Sequence, residues 1–144
     1  MKYFYFLLAA LLGAPPWAAA QTPAAAPLQQ ALRAGRDRQR LLLVGAPTAK
    51  HPAFKRQKEL LAAAAGQLQE RDIRVLDVFY DQLNSADRQL AQRLGLRPPA
   101  FGVVLVGKDG GAKRTSAVPL MPDDLFGTVD KMPMRRQEMQ RRGQ

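Results

Sequence analysis

Cysteine is absent from the chain, and that absence excludes more chemistry than any residue present. No disulfide framework, thiolate nucleophile, CxxC redox pair or iron–sulfur cluster is open to it. Histidine occurs once, as His51, too few ligands for an all-protein zinc site. Acids are scarce: 12 Asp and Glu stand against 22 Lys and Arg, a formal net charge of +10. Aromatics make up 7% of the chain. They do not interleave with the basic residues, so no stacking platform for nucleic acid is visible and specific nucleic-acid binding is not expected. What is present is 47% hydrophobic over 144 residues, enough to bury the core of one domain.

The longest apolar run sits at the start. Lys2 precedes an unbroken apolar stretch over residues 3–12; Gly13, Pro15 and Pro16 then break it, and Ala18-Ala19-Ala20 leads into Gln21. Basic, apolar and small-residue regions in that order read as a secretory signal over residues 1–20. The run is well short of the ~20 residues that span a bilayer, and no cysteine follows it to carry a lipid. The mature chain is expected to be exported, periplasmic or secreted, with no transmembrane segment.

Behind the signal, strand and helix patterns alternate. Residues 21–39 read as a Pro/Ala linker and a short helix over 28–38. Leu41-Leu42-Leu43-Val44, closed by Gly45 and Pro47, reads as a strand buried on both faces. Phe54, Leu61, Ala65 and Leu68 recur at helical spacing and predict one helix over 52–69. Residues 73–80 (IRVLDVFY) predict a second strand. Ser85 as N-cap and Gly95 as stop then bracket a helix. Residues 101–106 predict a third strand, Lys108-Asp109-Gly110-Gly111 a tight turn, and 112–118 its antiparallel partner. A last helix opens at Pro122-Asp123-Asp124 and ends near Lys131.

That order, with two parallel crossovers and then a hairpin and a helix, fits an α/β domain of thioredoxin-like, three-layer type. Its central mixed sheet of about four strands and flanking helices occupies residues 40–132, followed by a basic Met/Arg tail over 133–144. The stretch Arg93-Leu94-Gly95-Leu96-Arg97-Pro98-Pro99-Ala100, with the strand and turn after it, resembles the second half of thioredoxin. That resemblance implies a cis-proline before the third strand, for which Pro99 is the candidate and Pro98 the alternative.

Leu41-Leu42-Leu43-Val44-Gly45-Ala46-Pro47, Arg56-Gln57, Gly107-Lys108-Asp109-Gly110-Gly111 and above all Asp130-Lys131-Met132-Pro133-Met134-Arg135-Arg136-Gln137-Glu138-Met139 resemble the domain-of-unknown-function family 4174. The resemblance spans roughly residues 40–139. It implies an exported thioredoxin-like domain, related to modules of vertebrate extracellular-matrix proteins. It implies no established reaction, so no catalytic residue is carried over.

In thioredoxin the redox pair sits between the first of these strands and the next helix, a place held here by Ala49-Lys50-His51-Pro52. Lys50, His51, Lys55, Arg56 and Lys58 crowd the start of that helix, and Thr48 adds a hydroxyl. Two readings stay open: an anion site formed by Thr48, Lys50, His51, Lys55 and Arg56 at the helix N-terminus, or a solvated basic face. Asp77 and Asp81 read as strand-end carboxylates and Asp123-Asp124 as helix-start electrostatics, neither as a catalytic or metal pair. The basic end has two readings as well. Arg135, Arg136, Arg141 and Arg142 form a surface patch for an anionic partner, or the helix packs Met132 and Met134 against the domain. No catalytic residue, metal or cofactor is expected. The functional expectation is a non-enzymatic exported binding or structural module whose partner is an anionic ligand, an envelope polymer or a protein. The alternative is an enzyme of unrecognised type working through Lys50, His51 and Arg56.

Overall fold

The computed structural model describes residues 27–143; the signal-like segment over 1–20 and most of the linker lie outside the described residues. The elements are α1 (Pro27–Gly35), β1 (Arg40–Ala46), α2 (Pro52–Ala62), α3 (Ala65–Glu70), β2 (Ile73–Phe79), α4 (Ser85–Leu94), β3 (Gly102–Val106), β4 (Ala112–Ser116), α5 (Pro122–Asp130) and α6 (Pro133–Arg142). A 3-10 turn, Tyr80–Gln82, follows β2. The four strands form one sheet in the order β2-β1-β3-β4.

β1 is buried along its whole length because it is an inner strand with helices on both faces. Leu42, Val44 and Ala46 point to one face, where Val103, Leu105 and Ile73 join them. Phe54 and Leu61 of α2, Leu68 of α3, and Leu125, Phe126 and Val129 of α5 cover that face. Leu41, Leu43, Val104, Val106 and Val78 point to the other, covered by Leu28 of α1 and Ala91 of α4. The period-two alternation of the strands therefore feeds two separate cores, which is the three-layer thioredoxin-like arrangement.

β1 pairs with β2 in parallel and with β3 antiparallel. The chain thus makes one parallel crossover where the alternation of elements predicts two. The reason lies at the end of α4. Leu96, one residue beyond Gly95, lies close against Gly45 and Gly102 at the C-terminal end of β1. β3 therefore starts where β1 ends, with Gly102 opposite Gly45, and runs back along it. Gly95 caps α4 at φ 117°, a left-handed conformation suited to glycine. The N-cap of α4 is Asn84, whose side chain accepts from the Asp87 N–H, one residue before the expected Ser85. The single helix expected over 52–69 divides into α2 and α3, because Ala64 leaves helical dihedrals at φ −114°, ψ 20°.

α5 is fixed to α2 by one polar side chain. Gln57 is 0% exposed, and its amide donates to the Leu120 carbonyl at 3.0 Å while accepting from the Leu120 N–H at 2.7 Å. It satisfies both backbone groups of the residue that leads into α5. Gln57→Leu keeps the volume but leaves both groups buried and unpaired, at about 1–3 kcal/mol each. Urea unfolding of this variant is expected to lose about 2–4 kcal/mol; an unchanged midpoint contradicts the clamp.

Candidate functional site

The sheet has two ends with different chemistry. At the C-terminal end of β1 lie the α2 N-terminus, the Arg97–Ala100 turn and the start of β3. The peptide bond between Pro98 and Pro99 is cis. The Tyr80 hydroxyl donates to the Ala100 carbonyl at 2.9 Å, holding this turn against the strand. Burial pushes the Tyr80 phenol up to about 12, so it stays a neutral donor throughout the physiological range. Gly45 makes room for it, since a Cβ there would collide with the Tyr80 hydroxyl and lie 2.9 Å from Leu96.

His51 is the N-cap residue of α2 but makes no side-chain capping bond. Its ring lies parallel to that of Phe101, with centroids 6.0 Å apart and planes 9° apart, and its Nδ1 is buried without a hydrogen-bond partner. Thr48, Lys50, Lys55 and Arg56 are exposed around it. The Thr48 hydroxyl accepts from the Lys50 N–H at 3.3 Å, and Arg56 reaches Glu59 at 3.5 Å. Lys58 pairs with Asp77 at 2.9 Å, which accounts for that carboxylate. The five expected residues therefore share one end of the fold. Lys50 and Lys55 make no ion pair among the described residues.

The opposite end is a cluster of charges. Arg40, the first residue of β1, is 1% exposed. It meets Glu138 of α6 at 3.2 Å and donates to the Arg71 carbonyl at 2.8 Å. Lys108, at the start of the β3–β4 turn, reaches Glu138 at 2.6 Å and Asp72 at 3.0 Å. Arg135 contacts Asp130 at 3.2 Å, Glu70 at 3.1 Å and Glu138 at 3.7 Å. Arg71 completes the cluster, pairing with Asp130 at 2.9 Å while its guanidinium sits 4.4 Å from the centre of the Phe126 ring.

This corrects the expected patch. Arg135 is 2% exposed and unavailable to a partner, because three acids of the domain draw it inward. Arg136, Arg141 and Arg142 are exposed, and Arg142 also donates to the Glu70 carbonyl at 2.7 Å. Residues 133–142 are a helix bound to the domain by these contacts. Met132 packs against the core, whereas Met134 is 43% exposed. Arg40, Lys108 and Glu138 did not stand out in the sequence as a group. The available signal was a charge directly abutting the Leu41–Val44 run, and Glu138 placed i+3 from Arg135.

The family model for a domain of unknown function, DUF4174, matches residues 31–138. The chain belongs to the DUF4174 family. The match runs through Glu138, so it includes the first part of α6, with Arg135 and Glu138 of the charge cluster. Human Sushi repeat-containing protein SRPX is 33% identical over 115 residues, covering 72% of this chain and 25% of that protein. The rat protein of the same name is 32% identical with the same coverage. The chain thus spans about a quarter of the length of the curated relatives it matches. Among solved structures, reduced 2-Cys peroxiredoxin of Plasmodium vivax is similar with a TM-score of 0.56 at 13% identity, covering 74% of this chain and 84% of that one. Plasmodium yoelii Prx1a is similar with a TM-score of 0.53 at 14% identity, covering 74% and 80%. These likenesses show the thioredoxin-like fold. Without cysteine, this chain cannot perform thiol chemistry on it.

The charge cluster predicts how stability depends on pH. Burial pushes the Glu138 carboxyl up, but hydrogen bonds from Lys108 and Arg40 outweigh it and hold the group below its ordinary value of 4.5. The Arg71 hydrogen bond, aided by Arg135, lowers Asp130 below 3.8. Both folded values lie below the unfolded ones, so their contribution is complete above the unfolded values and is lost as pH falls through the folded ones. Unfolding free energy is expected to hold steady down to about pH 5 and then fall. Glu138→Gln should remove part of that acid slope and cost about 3 kcal/mol at neutral pH. Identical slopes in the two proteins contradict the assignment.

Proposed function

We propose that this chain is an exported, non-enzymatic thioredoxin-like module that binds an anionic group of a partner at the α2 end of the sheet. The observation that carries the reading is what stands where this fold elsewhere carries redox cysteines. Exposed Lys50 and Lys55, without ion-pair partners among the described residues, flank a helix N-terminus whose cap residue, His51, makes no side-chain capping bond. Backbone N–H groups at a helix start and nearby cations favour an anion. The cations impose an unfavourable field on the helix dipole, and a bound anion relieves it. The His51–Phe101 stack and the Tyr80 bond to Ala100 hold the neighbouring surface in one shape, which lowers the ordering cost of binding. Export rests on the order of basic, apolar and small residues over 1–20.

Sulfate titrated against the purified chain is expected to raise the melting temperature saturably and to shift the amide resonances of residues 48–56. The variant Lys50→Ala/His51→Ala/Arg56→Ala alters exposed or half-buried side chains and should fold with a similar melting temperature. It is expected to lose the sulfate response. A response equal to that of the unaltered chain contradicts the site, and turnover of a substrate abolished by the same changes would favour an enzyme instead.

A further inference from the structure

The loop that joins β4 to α5 holds two large apolar side chains out in water. Val118 is 65% exposed and Met121 51%, the highest values among the described large hydrophobics. A loose loop does not account for this. The Ser116 hydroxyl donates to the Val118 carbonyl at 2.7 Å and accepts from the Val118 N–H at 3.3 Å, and Gln57 holds both backbone groups of Leu120. We propose that a second copy of this chain docks on this surface about a two-fold axis, and that the acids opening α5 of each copy are the anion held at the α2 start of the other. The proposal rests on the α2 anion site and names the partner that fills it.

The strand register puts the pieces together. Ser116 pairs with Val103, beside Gly102, which pairs with Gly45 at the C-terminal end of β1. The loop therefore leaves the sheet at the same end as the α2 start. α2 and α5 cover the same sheet face, with Phe54 and Leu61 of one sharing a core with Leu125 and Phe126 of the other. Leu120, bonded to Gln57 of α2, stands just before α5. The two helix starts and the apolar loop thus share one surface, and its two sides differ in sign. α2 has no acid in its first turn, and Lys50 and Lys55 are exposed there. α5 opens with Asp123 and Asp124, both exposed and without ion-pair partners among the described residues.

A two-fold interface must be complementary to itself. A cationic and an acidic pole beside one apolar patch meet that condition, because half a turn lays each pole on its opposite. A uniformly acidic partner would be repelled by Asp123 and Asp124, and a uniformly basic one by Lys50 and Lys55. A second copy meets both poles with opposite charge. Covering Val118 and Met121 supplies the hydrophobic gain, while exposed ion pairs add little affinity each and chiefly fix orientation. The partner's carboxylates also bring negative charge to a helix start crowded with cations. Such an association is weak and salt-sensitive.

Sedimentation velocity of the purified chain tests this from about 10 µM to about 1 mM, the range in which a small interface associates. At low salt the mass is expected to rise from monomer to dimer, and about 0.5 M NaCl should weaken the dimer about tenfold. Asp123→Asn/Asp124→Asn is expected to fold and to keep its sulfate response while weakening the dimer about tenfold. Lys50→Asp/Lys55→Asp and Asp123→Lys/Asp124→Lys should each stay monomeric alone and pair when mixed, since each then offers the pole that the other needs. The proposal is overturned if the folded Asn variant associates as tightly as the unaltered chain, or if the folded charge-reversed variants do not pair on mixing. A monomer at every concentration that still binds sulfate overturns the second copy as partner and leaves the α2 anion site standing.

Discussion

A guanidinium buried at the first residue of an inner strand imposes the main constraint on this domain. Removing Arg40 from water costs several kcal/mol unless its charge is met at close range, and β1 supplies no acid of its own. Glu138 meets it from the far end of the chain, 98 residues away in sequence. Placing Glu138 there requires α6 to lie against the ends of β1 and β3, and Pro133 starts that helix where its missing N–H is harmless. Arg135, one turn before Glu138, then binds the acids that close α3 and α5. A single buried charge thus links the start of β1 to the last helix, to the end of α3 and, through Lys108, to the hairpin turn. Arg71 extends the link into the core through Phe126.

The other end of the sheet holds no thiol. A cis peptide before Pro99, a turn held by Tyr80 and a helix start facing it are all in place. The fold positions side chains there whether or not they are thiols, and here it presents cations and an imidazole. Function lives in the side chains grafted on a fold and not in the fold itself. The peroxiredoxin likeness, at 13% identity, therefore speaks to architecture alone.

The pattern of the chain made the elements legible because the relevant signals are local. β1 was readable from four consecutive apolar residues, α4 from its glycine stop, and the hairpin from Asp-Gly. Strand direction was not readable. It depends on where α4 delivers the chain, a matter of Leu96 packing against two glycines that no periodicity reports. The break between α2 and α3 was hidden in an alanine run that favours helix by propensity alone. The charge cluster was the largest omission. Its members are distant in sequence, and an arginine counted as surface charge looks the same as one that is 2% exposed. The Met-Pro-Met-Arg-Arg stretch that carried the family resemblance proved to include one of the buried cations, so a motif read as a basic tail is a structural clamp.

The measurement that bears most directly on this account is a double-mutant cycle on Arg40 and Glu138. Arg40→Ala, Glu138→Ala and the pair together would be unfolded in urea at neutral pH. Glu138→Ala should cost about 3 kcal/mol, because it leaves the buried Arg40 without a counter-charge, and Arg40→Ala less, because Lys108 and Arg135 still meet Glu138. The double variant should cost clearly less than their sum, with a coupling energy above about 1 kcal/mol. Costs that add to within about 0.5 kcal/mol would mean the two charges do not depend on each other, and the clamp would not be what holds α6 to the sheet.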